Sequence, residues 1–189
     1  DRVAGLTSDY DIVGLQEVDG GSLRSNFLNQ TSYIANRAGF SGWHSQVNRN
    51  LGLLGQHSNG LLSRYRPERL EEHRLPGNLP GRGALLAIYG KPGNELVVCN
   101  LHLALGQAGR QRQLAYVADL ISLYPHRVVM GDFNCHADAP ELLRLIEKAA
   151  LRAPGGDQGS FPSWRPMRRI DHILVSDSLE IHYAKVVDF

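Results

Sequence analysis

Asp132 and Asn134 stand two residues apart at the end of an apolar run, VVMGDFN (128–134), and their types could do chemistry. An ionised carboxylate can accept a proton from water or help hold a hard cation. A neutral amide beside it can orient a water or a phosphate oxygen. In an extended segment side chains alternate, so Asp132 and Asn134 would share one face and Phe133 would point into the core. The plainer account is an Asx-turn that closes the strand, and the two accounts are compatible.

Three more apolar runs deliver groups suited to phosphate chemistry. DIVGLQ leads into Glu17, ELVVCNL ends at His102, and RRIDHILV carries Asp171 within it. Strand ends are where rigid elements present side chains to a shared cleft. Taken singly, each has a bland account, since strand-end acids are often only solvated and a lone histidine is usually structural. The carboxylates suggest magnesium, which takes oxygen ligands, keeps several waters and needs only one or two acids. Cys135-His136 suggests zinc, but no second Cys/His pair has matching spacing. Those two residues are therefore assigned to the connection into the next helix.

The elements that must position these groups are mostly strands. DIVGLQEV (11–18), GWHSQVN, NGLLSR, RLEEHRL, ALLAIYG, ELVVCNLHL and HRVVMGD read as successive strands between turn signals such as PGNLPGRG and GKPGNE. RRIDHILVS and LEIHYAKVVDF read as a strand pair joined at Asp177-Ser178. Residues 25–39 read as a helix stopped by Gly39. Leu114, Val117, Ala118 and Ile121 fall at helical spacing within 108–124. Asp138 with Glu141 three residues on reads as a capping box for a helix over DAPELLRLIEKAAL. Single helices interrupt strands without strict alternation, which points to two packed sheets with helices outside.

The chain has 189 residues, 42% hydrophobic and 21% charged, which suits one globular domain with a sizeable core. No apolar run approaches a membrane span, so no transmembrane segment is expected. Net charge is +1, so no global field draws the protein to nucleic acid or an anionic membrane, and any phosphate affinity must be local. Of 20 basic residues 17 are arginine, whose guanidinium suits phosphate recognition, although genome base composition accounts for the bias equally well. Two cysteines make no disulfide framework, and a cytoplasmic location is the resulting expectation, with Cys99 as a buried thiol.

LQEVD (15–19), NGLLSRY (59–65), NLHL (100–103), GDFN (131–134) and RIDHILVS (169–176) occur in the order and spacing of the endonuclease/exonuclease/phosphatase superfamily. The chain resembles these metal-dependent phosphoesterases, related to pancreatic-type deoxyribonuclease, from about residue 11 to 187. SFPSWRPMRRIDHILVS is similar to the small bacterial members. The resemblance implies an α/β (α+β) fold: a four-layer sandwich of two mixed, mostly antiparallel sheets packed face to face and flanked by helices. It implies a hydrolase acting on ester bonds, of phosphodiesterase, endonuclease, exonuclease or phosphatase type.

By that resemblance Glu17 is the metal-binding glutamate, with Mg2+ as cofactor and Mn2+ as an alternative. His102 matches a general acid of the nuclease branch. Asp132 and Asn134 match the pair that activates the attacking water and contacts the phosphate. Asp171 matches a supporting residue near the scissile phosphate, and Asn59 lines the site. His172 occupies a variable position with no catalytic role. The expected partner is a phosphoester substrate, either nucleic acid or a small-molecule or lipid phosphoester, bound by a monomer. Arg64, Arg66, Trp164, Arg165, Arg168 and Arg169 are the groups a nuclease could set beside its cleft. Residues 1–189 are expected to form one domain lacking two family elements: a first strand ending in asparagine, and a last strand bearing Ser-Asp-His. The competing expectation is a catalytically silent binding domain of the same fold.

Overall fold

Residues 96–102, LVVCNLH, alternate between two cores, and the same alternation organises both sheets. The computed structural model describes residues 2–52, 55–77, 80–155, 158–162 and 164–187. The elements in chain order are α1 (Arg2–Thr7), β1 (Ile12–Asp19), a 3-10 turn (Leu23–Ser25), α2 (Gln30–Ala38), β2 (Gly42–Asn50) and β3 (Gln56–Ser63). Then follow β4 (Arg69–Arg74), β5 (Gly83–Tyr89), β6 (Leu96–His102), α3 (Gln107–Ile121), β7 (His126–Asp132), α4 (Pro140–Lys148), β8 (Leu151–Arg152) and β9 (Asp171–Ser176).

Nine strands form two sheets among the described residues. One has order β1-β3-β2 and is antiparallel throughout. The other has order β4-β5-β6-β7-β9-β8, and β6 with β7 is its parallel pair. A parallel pair needs a crossover, usually helical, and α3 supplies it.

On β6, Val97, Cys99 and Leu101 join a core beneath α3 and α4, together with Leu114, Val117, Ala118 and Ile121 of α3. Val98 faces the other way and joins Leu61, Leu85 and Ala87 between the sheets. A third cluster, Ala4, Ala35, Ala38, Phe40 and Leu62, lies under α1 and α2. The result is the expected four-layer sandwich, helices outside and two sheets within. Each fully buried leucine or phenylalanine stabilises this arrangement by about 1.5–3 kcal/mol.

Asn100 pins the two sheets together from the middle of the inter-sheet face. Its Oδ1 accepts from Gln16 Nε2 at 2.6 Å, and its Nδ2 donates to Leu15 O at 3.2 Å and Gly60 O at 2.9 Å. A fully buried amide is stable there only because these partners satisfy it.

Three expectations are corrected. The helix expected from residue 25 starts at Gln30, because Asn26 and Phe27 adopt left-handed φ of 53° and 61°. Asn29 caps it, its Oδ1 accepting from Ser32 N at 3.0 Å, and Gly39 closes it at φ 72° as expected. The Asp138 capping box does not form: Ala139 is the N-cap, Pro140 opens α4, and Glu141 turns instead to Arg110 of α3. That helix ends at Lys148, and Leu151 enters the short strand β8. The strand expected over LEIHYAKVVDF is absent from residues 179–187. Asp188 and Phe189 of that stretch, Asn78 and Leu79 of the PGNLPGRG turn, and Gly156, Asp157 and Ser163 lie outside the described residues. Among those described, no helix is long and apolar enough to cross a membrane.

Candidate active site

Gly83, His102, Asp132 and Asp171 stand in one row across the end of the larger sheet. Gly83 pairs with His102, His102 with Asp132, and Asp132 with Asp171. Period-2 alternation explains the side chains. His102 shares the inter-sheet face with Val98 and Asn100, and Asp132 shares it with Val128 and Met130. Gly131 has φ 137°, and a Cβ there would strike the Leu101 backbone. Only glycine permits that approach.

The smaller sheet brings up the opposite side. Leu15 pairs with Gly60 and Val18 with Ser58, so Gln16 and Glu17 together oppose Asn59 in a β-bulge. On a regular strand Glu17 would follow Val13 and Leu15 toward the helices. Its φ of 56° breaks that alternation and turns it into a cleft of about 430 Å³ that Asn59 and His102 also line. Bulges commonly re-aim a side chain in this way. Asn59 is 1% exposed and joins the sheets, its Nδ2 donating to Gly83 O at 2.9 Å.

Asp19 holds the turn that follows Glu17. Its carboxylate accepts from Gly21 N, Ser22 N, Ser22 Oγ and Ser25 Oγ. Burial opposes its charge, but the hydrogen bonds from Ser22, Gly21 and Ser25 outweigh this and hold the carboxyl well below the usual range.

At the centre, His102 Nε2 lies 3.4 Å from Asp132 Oδ2. Arg82 Nη1 lies 2.6 Å from Nε2 and 2.9 Å from Nδ1 of the same ring. A guanidinium donates to imidazole nitrogen only when the ring is neutral. Burial first, then the charges of Arg82 and His57, depress the His102 pKa to about 4. Asp132 moves the other way, to about 6, through burial and the carboxylates of Asp171 and Glu17, opposed by the Asn134 N–H and Arg82. Burial and crowding of carboxylates thus raise one acid of the site, Asp132.

Asn134 departs from the extended geometry expected of it. Strand β7 ends at Asp132, Asn134 has φ 52°, and its N–H donates to Asp132 Oδ1 at 2.8 Å. This is the Asx-turn, and it keeps the two side chains adjacent. Asn134 Nδ2 donates to Leu103 O at 2.9 Å. Phe133 is fully buried, as expected, and meets the His172 ring edge-on at 5.2 Å. His172 Nε2 bonds to Cys135 O at 2.9 Å, so that histidine supports the turn from below. Burial pushes the Cys135 thiol up to about 11, the behaviour of a packed side chain.

Glu17, Asn59 and His102 thus line one cleft, and Asp132 borders it through His102. Asp171 lies beyond Asp132 and lines a second groove of about 830 Å³ with Gln16, Met130 and Ile173. The arginines and tryptophan proposed for a nuclease cleft do not line the first one. Arg64 donates to Tyr10 O, Gly39 O and Ser8 O and lies over the Phe40 ring, a structural tie between α1, α2 and β3. Trp164 is 84% exposed, and Arg169 lines the second groove and donates to Pro154 O. Sequence reasoning misses Arg82, because GRG reads as a turn. The available signal was an arginine flanked by glycines immediately before an apolar strand.

Whether these residues fit a divalent metal follows from their charges. Among the described residues Glu17 and Asp171 form no ion pair with lysine or arginine, and with Asp132 they crowd negative charge that a hard cation would relieve. No three His, Cys, Asp or Glu among the described residues gather at metal-holding spacing. One carboxylate with waters is the habit of magnesium and not of zinc.

The family model of the Endonuclease/Exonuclease/phosphatase family matches residues 1–189. The uncharacterized protein YbhP of Escherichia coli K12 is 32% identical over 134 residues, covering 66% of this chain and 53% of YbhP. The chain thus spans about half the length of that curated relative. An endonuclease/exonuclease/phosphatase from Bacteroides vulgatus superposes with TM-score 0.75 at 19% identity, covering 93% of this chain and 77% of that one. The mannosyl-6-phosphatase Bt3783 of Bacteroides thetaiotaomicron superposes with TM-score 0.71 at 19% identity, covering 94% and 76%. At such identities the superpositions establish the fold. A sandwich with this strand order, matched over its whole length by the family model, belongs to the endonuclease/exonuclease/phosphatase family.

Proposed function

We propose that the protein hydrolyses a phosphoester with a divalent metal, Mg2+ or Mn2+, and that Asp132 is its general base. The observation that carries this reading is the row of His102, Asp132 and Asp171 across the sheet end, in which the Asp132 carboxyl lies 3.4 Å from His102 Nε2 and, without metal, is raised to about 6. A base with a pKa near working pH combines a useful ionised fraction with real proton affinity.

The residues take distinct parts. Glu17, aimed into the cleft by its bulge, would hold the metal, with Asp132 and Asp171 nearby. Bound there, the metal would supply charge neutralisation at a phosphoryl oxygen. Asp132 takes the proton from the attacking water. Asn134 Oδ1 has no partner among the described residues and aligns that water, its Nδ2 being held by Leu103 O. His102 works as a neutral hydrogen-bonding group toward a phosphate oxygen. With a pKa of about 4 it is too rarely protonated at neutral pH to serve as the principal proton donor. Asn59 fixes the separation of the two sheets, and so of Glu17 from His102. We infer that residues 1–189 form one domain.

The test is a panel on the full-length protein with magnesium or manganese: plasmid, oligonucleotides, sugar phosphates, inositol phosphates and phospholipids. Hydrolysis of one class, abolished in Asp132→Asn, is the expected result. Failure to hydrolyse any of them, or near-normal turnover by Asp132→Asn, overturns the reading.

A further inference from the structure

The 430 Å³ cleft is strongly asymmetric in charge. Glu17 is the only carboxylate among its described lining residues, whereas Arg49, Arg82, Arg112 and His57 all line it. Elsewhere Arg69 pairs with Glu71, Arg110 with Glu141 and Arg152 with Asp177. Among the described residues Arg49, Arg82 and Arg112 form no ion pair with a carboxylate. Three guanidiniums against the single carboxylate of Glu17 leave the described lining net positive, which favours entry of an anion.

The walls that carry them are built. Arg49 leaves β2 and lies along Gly81, whose φ of 102° and bare Cα make room for the arginine stem. Arg112 projects from the second turn of α3. Its neighbour Gln113, 2% exposed, accepts from Ala104 N at 2.8 Å and donates to Pro76 O at 3.2 Å, clamping both loops that wall the cleft. Gly106, the N-cap of α3, gives no side-chain cap and also lines it. The Ser58 hydroxyl, on a residue 1% exposed, has no partner among the described residues and belongs to the same lining.

We propose that Arg49 and Arg112, with Arg82 at the border, form a second anion subsite, so that the substrate is a small phosphoester carrying another phosphate or comparable anionic group. This rests on the hydrolase reading above. Arg82 lies between the reacting row and the basic wall, so one phosphate meets His102 and Asp132 while the second meets Arg49 and Arg112. A cavity of this size suits a small ligand. With net charge +1, only local charge can select an anion. Binding energy from the remote anion orients the reacting one.

Inorganic tripolyphosphate and orthophosphate, titrated by calorimetry into the metal-free full-length protein, separate one anion site from two. Tripolyphosphate should bind tighter than orthophosphate by about tenfold or more, a difference of about 1.4 kcal/mol. Arg49→Gln/Arg112→Gln, both exposed side chains, should bring that ratio close to one, whereas Arg165→Gln/Arg168→Gln should leave it unchanged. Equal binding of the two probes, no tripolyphosphate binding, or the same loss in both double variants overturns the subsite. So does oligonucleotide binding that depends on Arg165 and Arg168 while tripolyphosphate ignores Arg49 and Arg112; that result points to a nucleic-acid surface. Hydrolysis without arginine-dependent preference sinks the subsite alone, and preference without hydrolysis sinks the hydrolase reading alone.

Discussion

His102 and Asp132 are register partners at the ends of adjacent parallel strands, and their side chains approach to 3.4 Å with opposite shifts in proton affinity. Burial lowers the imidazole and raises the carboxyl. Both groups are therefore pressed toward their neutral forms, and that sets their behaviour with pH.

Asp132→Asn should stabilise the metal-free protein while abolishing turnover by about 10²–10⁴-fold. The folded carboxyl titrates at about 6 against an ordinary 3.8. A raised acid binds its proton more tightly when folded, so its contribution is fully present below 3.8 and lost as pH rises through 6. The variant should melt higher than the parent at pH 8, and the gain should vanish near pH 4. An equal or lower melting temperature at pH 8 would count against a strained carboxylate.

Hydrolysis should rise with pH along one limb set by Asp132, near 6 at low metal and lower at high metal, because a bound cation favours the carboxylate. His102 should add no inflection above pH 5, since its folded pKa is about 4. Depressed below the ordinary 6.5, it contributes stability that is present above 6.5 and lost as pH falls through 4. Arg82→Gln removes an adjacent cation and should move the His102 titration upward by NMR. An unmoved His102 titration would show that burial and His57, without Arg82, set its pKa.

Magnesium or manganese should raise the melting temperature of the parent, and Glu17→Gln should remove most of that rise, because a ligand bound only to the folded state stabilises it. Backbone and metal effects separate in a second pair. Glu17→Gly should exceed Glu17→Ala in stability by about 1 kcal/mol, the cost of a left-handed conformation for a residue with a Cβ. Equal melting temperatures would mean that φ 56° is not retained in solution.

Asn100→Leu should cost about 2–4 kcal/mol in urea unfolding, since it leaves Gly60 O, Leu15 O and the Gln16 amide without their partner between the sheets. A change under about 0.5 kcal/mol, the range of surface substitutions, would mean that water replaces the amide there.

Glu141→Ala should cost about 3 kcal/mol, because Glu141 is 2% exposed and its loss strands Arg110 between α3 and α4. Although burial opposes its charge, hydrogen bonds within its own turn and from Arg110 and Gln107 hold the Glu141 carboxyl below its usual range. Its stabilisation is therefore present above that range and lost as pH falls through the lowered value. The gap between parent and variant should narrow on acidification from pH 7 to pH 3. A constant gap would assign the effect to packing.

The sequence by itself determined what repeats at short range. The apolar run ELVVCNLHL marked a strand that buries Cys99 and ends in His102. Helical spacing placed Leu114, Val117, Ala118 and Ile121 in a core, and Phe133 followed from its position between Asp132 and Asn134. These are local rules of backbone period, and the folded chain obeys them. Tertiary structure decided the rest. The capping box at Asp138 lost to Arg110, which offers Glu141 a buried ionic partner from another helix. Residues 179–187 have strand-like composition, yet strand formation depends on a pairing edge and not on propensity. Glu17 reaches the cleft only through a bulge against Asn59, and Arg82 reaches His102 only once β5 and β6 are in register. Partners that lie 20 to more than 80 residues away leave no periodic trace in the chain, so their alignment is fixed by the energy of the assembled sheets.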